Sequence, residues 1–159
     1  MRKISLLCLM VFWLPLIATA QDYPKAEIFT GYSYLRGQYL DVNLSGFDLS
    51  ATANLNGWFG ATADFSGHYY KGFGMHSFLF GPKFTFRGDS RVHPYLHTMI
   101  GPVRMEFTTL FGWAAGGGID VTVHRNIAIR AIDITYLLLS KNGYNSHNGR
   151  LSSGIAWRF

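Results

Sequence analysis

The sequence predicts an all-β chain: eight antiparallel strands in up-and-down order, closed into a transmembrane barrel. Three observations carry this. Hydrophobicity alternates residue by residue over segments of about ten residues, the length a tilted strand needs to cross a bilayer. Beyond residue 20 no uninterrupted apolar run is long enough for a membrane helix. The face opposite the aromatics collects charged and small residues, whereas a soluble barrel keeps its apolar face inside.

The N-terminus sets the compartment. Arg2 and Lys3 precede an apolar stretch from Ile4 to Ile17, and Ala18-Thr19-Ala20 offers the small-x-small pattern of a cleavage site. Residues 1–20 are therefore expected to be a cleaved signal peptide, and residues 21–159 the barrel. The only cysteine, Cys8, lies inside the expected signal peptide, so disulfides, thiolate metal sites and cysteine nucleophiles are excluded from the remainder. Against 14 lysines and arginines stand 9 acids. The basic residues are scattered singly, which argues against a nucleic-acid partner.

The strands follow in order. The first, 25–36, sets Glu27 on one face and Tyr32 and Tyr34 on the other. Strand 46–54 ends in the turn Asn54-Leu55-Asn56-Gly57, a hairpin signal. In 57–70, Asp64, Ser66 and His68 share a face. Segment 75–87 directs Phe78, Phe80, Pro82, Phe84 and Phe86 one way and Leu79, Gly81, Lys83, Thr85 and Arg87 the other. After the turn at 87–91 comes 92–103.

Strand 110–123 alternates Phe111, Trp113, Ala115, Ile119 and Val121 against Gly112, Ala114, Gly116, Gly118 and Asp120. After His124-Arg125-Asn126, strand 127–139 breaks parity: Arg130, Asp133 and Thr135 should all face inward. A bulge near Ala131-Ile132 reconciles them. The last strand, 150–159, sets Leu151, Ser153, Ile155, Trp157 and Phe159 against Arg150, Ser152, Gly154, Ala156 and Arg158. Longer loops are expected at 37–46, 71–74, 104–109 and 140–149, alternating with the tight turns. Pro82 and Pro102 each remove a ladder donor, so bulges or strand ends are expected there.

These parities point Glu27, Asp64, Asp120 and Asp133 inward together with Lys83, Arg87, Arg130 and Arg158. Four acids and four bases would pair inside a plugged lumen, because a buried charge without a partner is costly. Tyr32, Tyr34, Tyr69, Trp113, Trp157 and Phe159 point outward near strand ends, as aromatic girdles at headgroup depth.

Other constellations carry no chemistry. Asp64, Ser66 and His68 mimic a hydrolytic triad, but two residues along a strand span about 7 Å and four about 13 Å, too far for Asp64 to orient His68. His93 and His97 fail as a metal pair on the same measure. Gly116-Gly117-Gly118 lies within a strand and lacks a following Lys-Ser/Thr, so it is no phosphate loop. Ser146-His147 reads as a plain polar loop. No catalytic residue, metal site or cofactor is expected.

The ending Leu151-Ser152-Ser153-Gly154-Ile155-Ala156-Trp157-Arg158-Phe159 resembles the final strand of the outer-membrane protein A/X-like eight-stranded barrels. Glu27 to Leu35, His76 to Pro82 and Gly116 to Val121 resemble internal strands of its small single-domain members. The resemblance implies residence in a bacterial outer membrane, contact with outer-membrane lipid, and reading of Trp157 and Phe159 by the barrel-assembly machinery. It also implies that the cell-wall-binding domain of larger members is absent. The expected role is structural or surface-interacting, with an extracellular partner met through the long loops. The alternatives are a narrow or gated small-solute channel and, ranked last, a lipid-modifying enzyme. The His-x-Ser order of outer-membrane lipid deacylases is not reproduced by Ser146-His147.

Overall fold

The structure, a computed structural model, describes residues 23–37, 42–106, 108–141 and 143–159. The expected signal peptide, 1–20, and its cleavage site lie outside them. Eight strands run in chain order: β1 (Ala26–Gly37), β2 (Val42–Asn54), β3 (Phe59–Tyr70), β4 (Phe73–Thr85), β5 (Val92–Met105), β6 (Thr108–His124), β7 (Ile127–Lys141) and β8 (Tyr144–Arg158). Each pairs antiparallel with its neighbours, and β1 closes on β8 to complete the barrel. Closure leaves no free edge, so each strand has a hydrogen-bonding neighbour on both sides. The last residue joins this seam: the Lys25 amide donates to the Phe159 carbonyl at 2.6 Å, and the Phe159 amide to the Ala26 carbonyl at 2.9 Å.

Period-two patterning decides which side chains meet lipid. Phe78, Phe80, Ile100, Ile134, Leu151 and Ile155 are exposed on the outer surface. Aromatic residues edge this band at both ends, with Tyr32, Tyr69 and Tyr136 on one side and Trp58, Trp157 and Phe159 on the other. Along β5 the apolar outer face from Val92 to Pro102 rises about 25 Å at a usual barrel tilt, the height of an outer-membrane hydrocarbon band.

Among the described residues, strand takes up much of the expected long loops opposite the chain ends; 38–41 of the first lie outside the described residues. Strand pairing continues through most of 37–46, 104–109 and 140–149. Tyr70 pairs with Phe73, Met105 with Thr108 and Lys141 with Tyr144. Lys71 and Gly72 close the β3–β4 hairpin in a two-residue turn, and both take positive φ (43° and 87°), as the tight turn matched to strand twist requires. Asn145, Ser146, Asn148 and Gly149 have loop composition, but they alternate in burial and pair across to β7. The longest described connection, 86–91, lies at the end that carries the chain termini.

The bulge forms where parity demands it. Arg130 pairs with Asp120 and Ile132 with Ile119, so one extra residue sits in β7, and Ala131 and Ile132 are both exposed. The prolines behave differently from expectation. Neither creates a bulge or ends a strand: the β4–β5 register is the same on both sides of each. The ladder instead skips pairs around them and resumes in step.

A second departure concerns the interior. Its chain-terminus half is charged, but in its other half apolar side chains are interleaved with the buried polar groups His68, Ser77 and Asn148. Leu35, Leu79, Met99, Val103, Leu137 and Leu139 belong to one buried cluster inside the barrel. These residues follow inward parity and pack together inside the wall.

Candidate functional site, a plugged polar lumen

An eight-stranded wall leaves an interior only wide enough for side chains to fill. Facing strands therefore determine which charges meet. Near the chain ends, β1, β4, β6, β7 and β8 each contribute one ionic group. Glu27 accepts from Lys83 Nζ at 2.6 Å and Arg130 Nη2 at 3.1 Å through one oxygen, and from Arg158 Nε at 2.9 Å through the other. Asp120 accepts from Arg130 Nε at 2.9 Å and from Arg158 Nη2 at 3.3 Å. Aromatic faces back this cluster: the Arg130 guanidinium lies 4.1 Å from the Phe29 ring centre, and Lys83 Nζ 4.4 Å from that of Tyr95.

Further along the axis, Asp133 gathers three donors. The Tyr95 hydroxyl donates to one carboxylate oxygen, His97 Nε2 lies 3.2 Å from the same atom, and the Thr135 hydroxyl donates to the other at 2.5 Å. Next comes Arg150, which grips Asp64 with both terminal nitrogens at 2.8 and 3.1 Å and touches Ser66 at 3.2 Å. Asp48 stands 3.9 Å from the same guanidinium. Ser66 bonds Ser77 at 2.5 Å, while Ser33 links His68 at 2.9 Å and Ser152 at 3.1 Å. A cavity of about 20 Å³, room for one water, lies between these groups, lined by Asp48, Lys83, His97, Arg130, Asp133 and Arg150 among others.

Seven of the eight expected lumen charges are buried within the barrel: Glu27, Asp64, Lys83, Asp120, Arg130, Asp133 and Arg158. Five of them form the single cluster around Glu27 and Asp120. Asp64 and Asp133 are apart from it, each with its own partners. Arg87 departs from expectation. Strand β4 ends at Thr85, so inward parity no longer binds Arg87, and its guanidinium donates to the Gly57 carbonyl at 2.7 Å on the rim.

Sequence reasoning missed Arg150 and Asp48. Arg150 shares parity with Arg158 on β8, so the signal was present. Asp48 sits in a strand whose register only its pairing partner fixes, opposite Ser66. Tyr95 and His97 were also missed as ligands of the network; alternation from the outward Ile100 and Leu96 would have placed them inside.

The other candidates find different partners. Asp64 is committed to Arg150 while His68 bonds Ser33, so the triad arrangement does not assemble. Ser146 and His147 belong to β8 and not to a loop. His147 lies outside, hydrogen-bonded to the Tyr136 hydroxyl.

No protein-family model matches the chain, and no curated protein matches it. Solved structures do. Neisserial surface protein A is similar over 84% of this chain and 96% of its own, with a TM-score of 0.64 and 16% identity. Outer membrane protein OprG from Pseudomonas aeruginosa gives a TM-score of 0.65 at 9% identity, covering 87% and 97%. Ail, the attachment invasion locus protein of Yersinia pestis, solved with the heparin analogue sucrose octasulfate, gives 0.59 at 23% identity, covering 86% and 99%. This chain has the fold of small eight-stranded bacterial outer-membrane barrels.

Proposed function

We propose that the chain is an integral outer-membrane barrel with a structural or surface-interacting role, sealed against solutes and performing no chemistry of its own. The observation that carries the reading is the double closure of the lumen. Interlocked charges fill one half, and the apolar cluster from Leu35 to Leu139, packed with His68, Ser77 and Asn148, fills the other. A hydrocarbon layer across so narrow a passage repels water and ions. The outward apolar band with its two aromatic edges supports residence in the bilayer, with outer-membrane lipid as the direct partner.

The outward Trp157 and the terminal Phe159, held in the β1–β8 seam, suit reading by an assembly machinery before closure hides that strand. Ail shows that this fold can carry an attachment protein. An extracellular partner of this chain would meet projecting strand ends as well as turns, because among the described residues strand pairing runs up to Tyr70–Phe73, Met105–Thr108 and Lys141–Tyr144.

Two measurements test the reading. Native protein should fractionate with outer membrane and migrate differently on a gel before and after heating. Reconstituted into planar bilayers, the folded barrel should be electrically silent. Steady single-channel conductance would favour the narrow-channel alternative, and absence from the outer-membrane fraction would overturn the placement.

A further inference from the structure

The wall of the barrel is not uniform. Along β1–β2, β2–β3, β3–β4, β5–β6 and β1–β8, registered pairs follow one another without a break among the described residues. On β6–β7 and β7–β8 they are interrupted beside the Ala131 bulge and at Val123 near the end of β6. The β4–β5 seam is different. Pairs run from Met75–Met105 to Ser77–Val103, reappear singly at Phe80–Ile100, and resume at Lys83–His97. The positions of Phe78–Pro102, Leu79–Gly101, Gly81–Met99 and Pro82–Thr98 carry none.

The cause is two Gly-Pro steps facing each other. At the rim the Phe86 amide donates to the Pro94 carbonyl across this seam, whereas the Thr85 amide donates the other way, to Trp58. Even-numbered residues of β4 and β5 therefore aim their backbone groups at one another. Pro82 and Pro102 are both even, so both missing donors fall on the same seam, on either side of Phe80–Ile100. The carbonyl oxygens of Thr98 and Phe78 are left with the α-carbons of Gly81 and Gly101, a close approach that glycines elsewhere in the wall, such as Gly31 and Gly46, also make. Such Cα–H contacts are weaker than the amide bonds they replace.

The surroundings of this weak stretch differ on its two faces. Outside, Phe78, Phe80 and Ile100 are exposed to the lipid layer. Inside, Gly81 and Gly101 present no side chain, and Leu79 and Met99 supply an apolar lining. Met99 also borders the small polar cavity, together with Lys83, His97 and Arg150. Within that cavity region Asp48 Oδ1 and Arg150 Nε are buried without hydrogen-bond partners among the described residues.

We propose that the β4–β5 seam is a lateral portal: it parts between Ser77–Val103 and Lys83–His97 and admits a slender amphiphile from the bilayer into the lumen. The cavity beside Arg150 has room for one water, so such a molecule would enter by swinging Leu79 and Met99 aside, with its polar end toward Arg150. This rests on the bilayer reading above. It leaves the axial seal intact, because the route is through the wall and not along the axis.

The test uses a cysteine at the inner end of the route. Residues 21–159 contain no cysteine, so Met99→Cys provides one reactive thiol. In vesicles of phosphatidylethanolamine and phosphatidylglycerol, bilayer-dissolved N-dodecylmaleimide should label it, while a sulfonated, membrane-impermeant maleimide should not. Restoring the donors with Pro82→Ala and Pro102→Ala should slow labelling by about tenfold or more, as expected when the open state becomes less populated.

Equal labelling with and without the prolines, or no labelling of a barrel that remains heat-modifiable and protease-resistant, would overturn the portal alone. Failure of the wild-type chain to enter vesicles would overturn the bilayer reading and the portal with it. Should Met99→Cys not fold, amide exchange of the wild-type barrel decides: Phe80 and Ile100 should exchange about tenfold faster than residues at the same height on β1–β2. Uniform exchange would reject the proposal.

Discussion

Glu27 is the residue on which the lower charge cluster turns, since it accepts from three cations at once. Glu27→Gln keeps the shape and removes the charge. Lys83, Arg130 and Arg158 would then share Asp120 alone, and a buried cation short of a partner costs about 3–5 kcal/mol. Equilibrium unfolding of the refolded barrel in urea should show a loss of that order. Arg87→Ala should cost about 1 kcal/mol, the scale of one hydrogen bond at the rim. A second expectation concerns Asp64 and Arg150. A double-mutant cycle with Asp64→Ala and Arg150→Ala should give a coupling of about 1–3 kcal/mol, because the two are in direct bidentate contact and buried. Zero coupling would mean that water screens the pair. Parity pointed Glu27, Asp64, Lys83, Asp120 and Arg158 to the face on which they lie buried, while Arg130 and Asp133 needed the bulge as well. Which acid meets which base was not legible, because partners such as Asp64 and Arg150 stand on β3 and β8, strands that do not touch in the wall. Their meeting depends on the barrel's stagger and on the reach of a guanidinium, and neither is encoded locally.

At the level of the strand, β7 shows how far a pattern can be read. Arg130 and Asp133 cannot both face inward on a regular strand, so the bulge was legible from three charged and polar positions. It follows that Ala131 is a spare residue. Deleting it would leave Arg130 and Asp133 two apart, both inward, with the rest of the strand undisturbed. Deleting Ile134 instead would put Asp133 and Thr135 next to each other and turn Thr135, Leu137 and Leu139 out of the lumen. The Ala131 deletion should therefore keep heat-modifiable migration on gels, and the Ile134 deletion should lose it. Strand ends were less legible. Residues 144–149 look like a loop because polar and glycine residues dominate, and composition cannot separate a solvated strand end from a turn. Only the two-residue turn that closes β7 on β8, with Gly143 at a φ of 86°, makes the continued pairing possible. The prolines misled for a related reason: a missing donor is usually accommodated by a bulge, but here glycine beside each proline lets the opposing carbonyl approach, and the register survives.

For the whole molecule, the sequence indicated the outward apolar surface but not the division of the lumen into a charged half and a half where an apolar cluster is interleaved with neutral polar groups. Leu137 and Leu139 reveal their inward side only once the bulge has shifted their parity, and Leu35 and Leu44 sit beside a connection whose strand limits were unclear. That division separates two explanations of sealing. If the ion pairs were the barrier, loosening them with Glu27→Gln would let ions through. If the apolar layer is the barrier, Glu27→Gln should stay silent in planar bilayers, whatever its loss of stability. Leu79→Ser together with Leu137→Ser should then produce conductance, because both side chains are fully or almost fully buried in the apolar cluster and hydroxyls there allow water to enter. Water admitted by that pair would reach the charged half directly, since Met99 joins the apolar cluster to the polar cavity. Silence of the double serine variant, in a barrel still folded by gel migration, would transfer the barrier to the charges around Glu27 and Arg150, and a third variant uniting Glu27→Gln with both serines would then be the one that conducts.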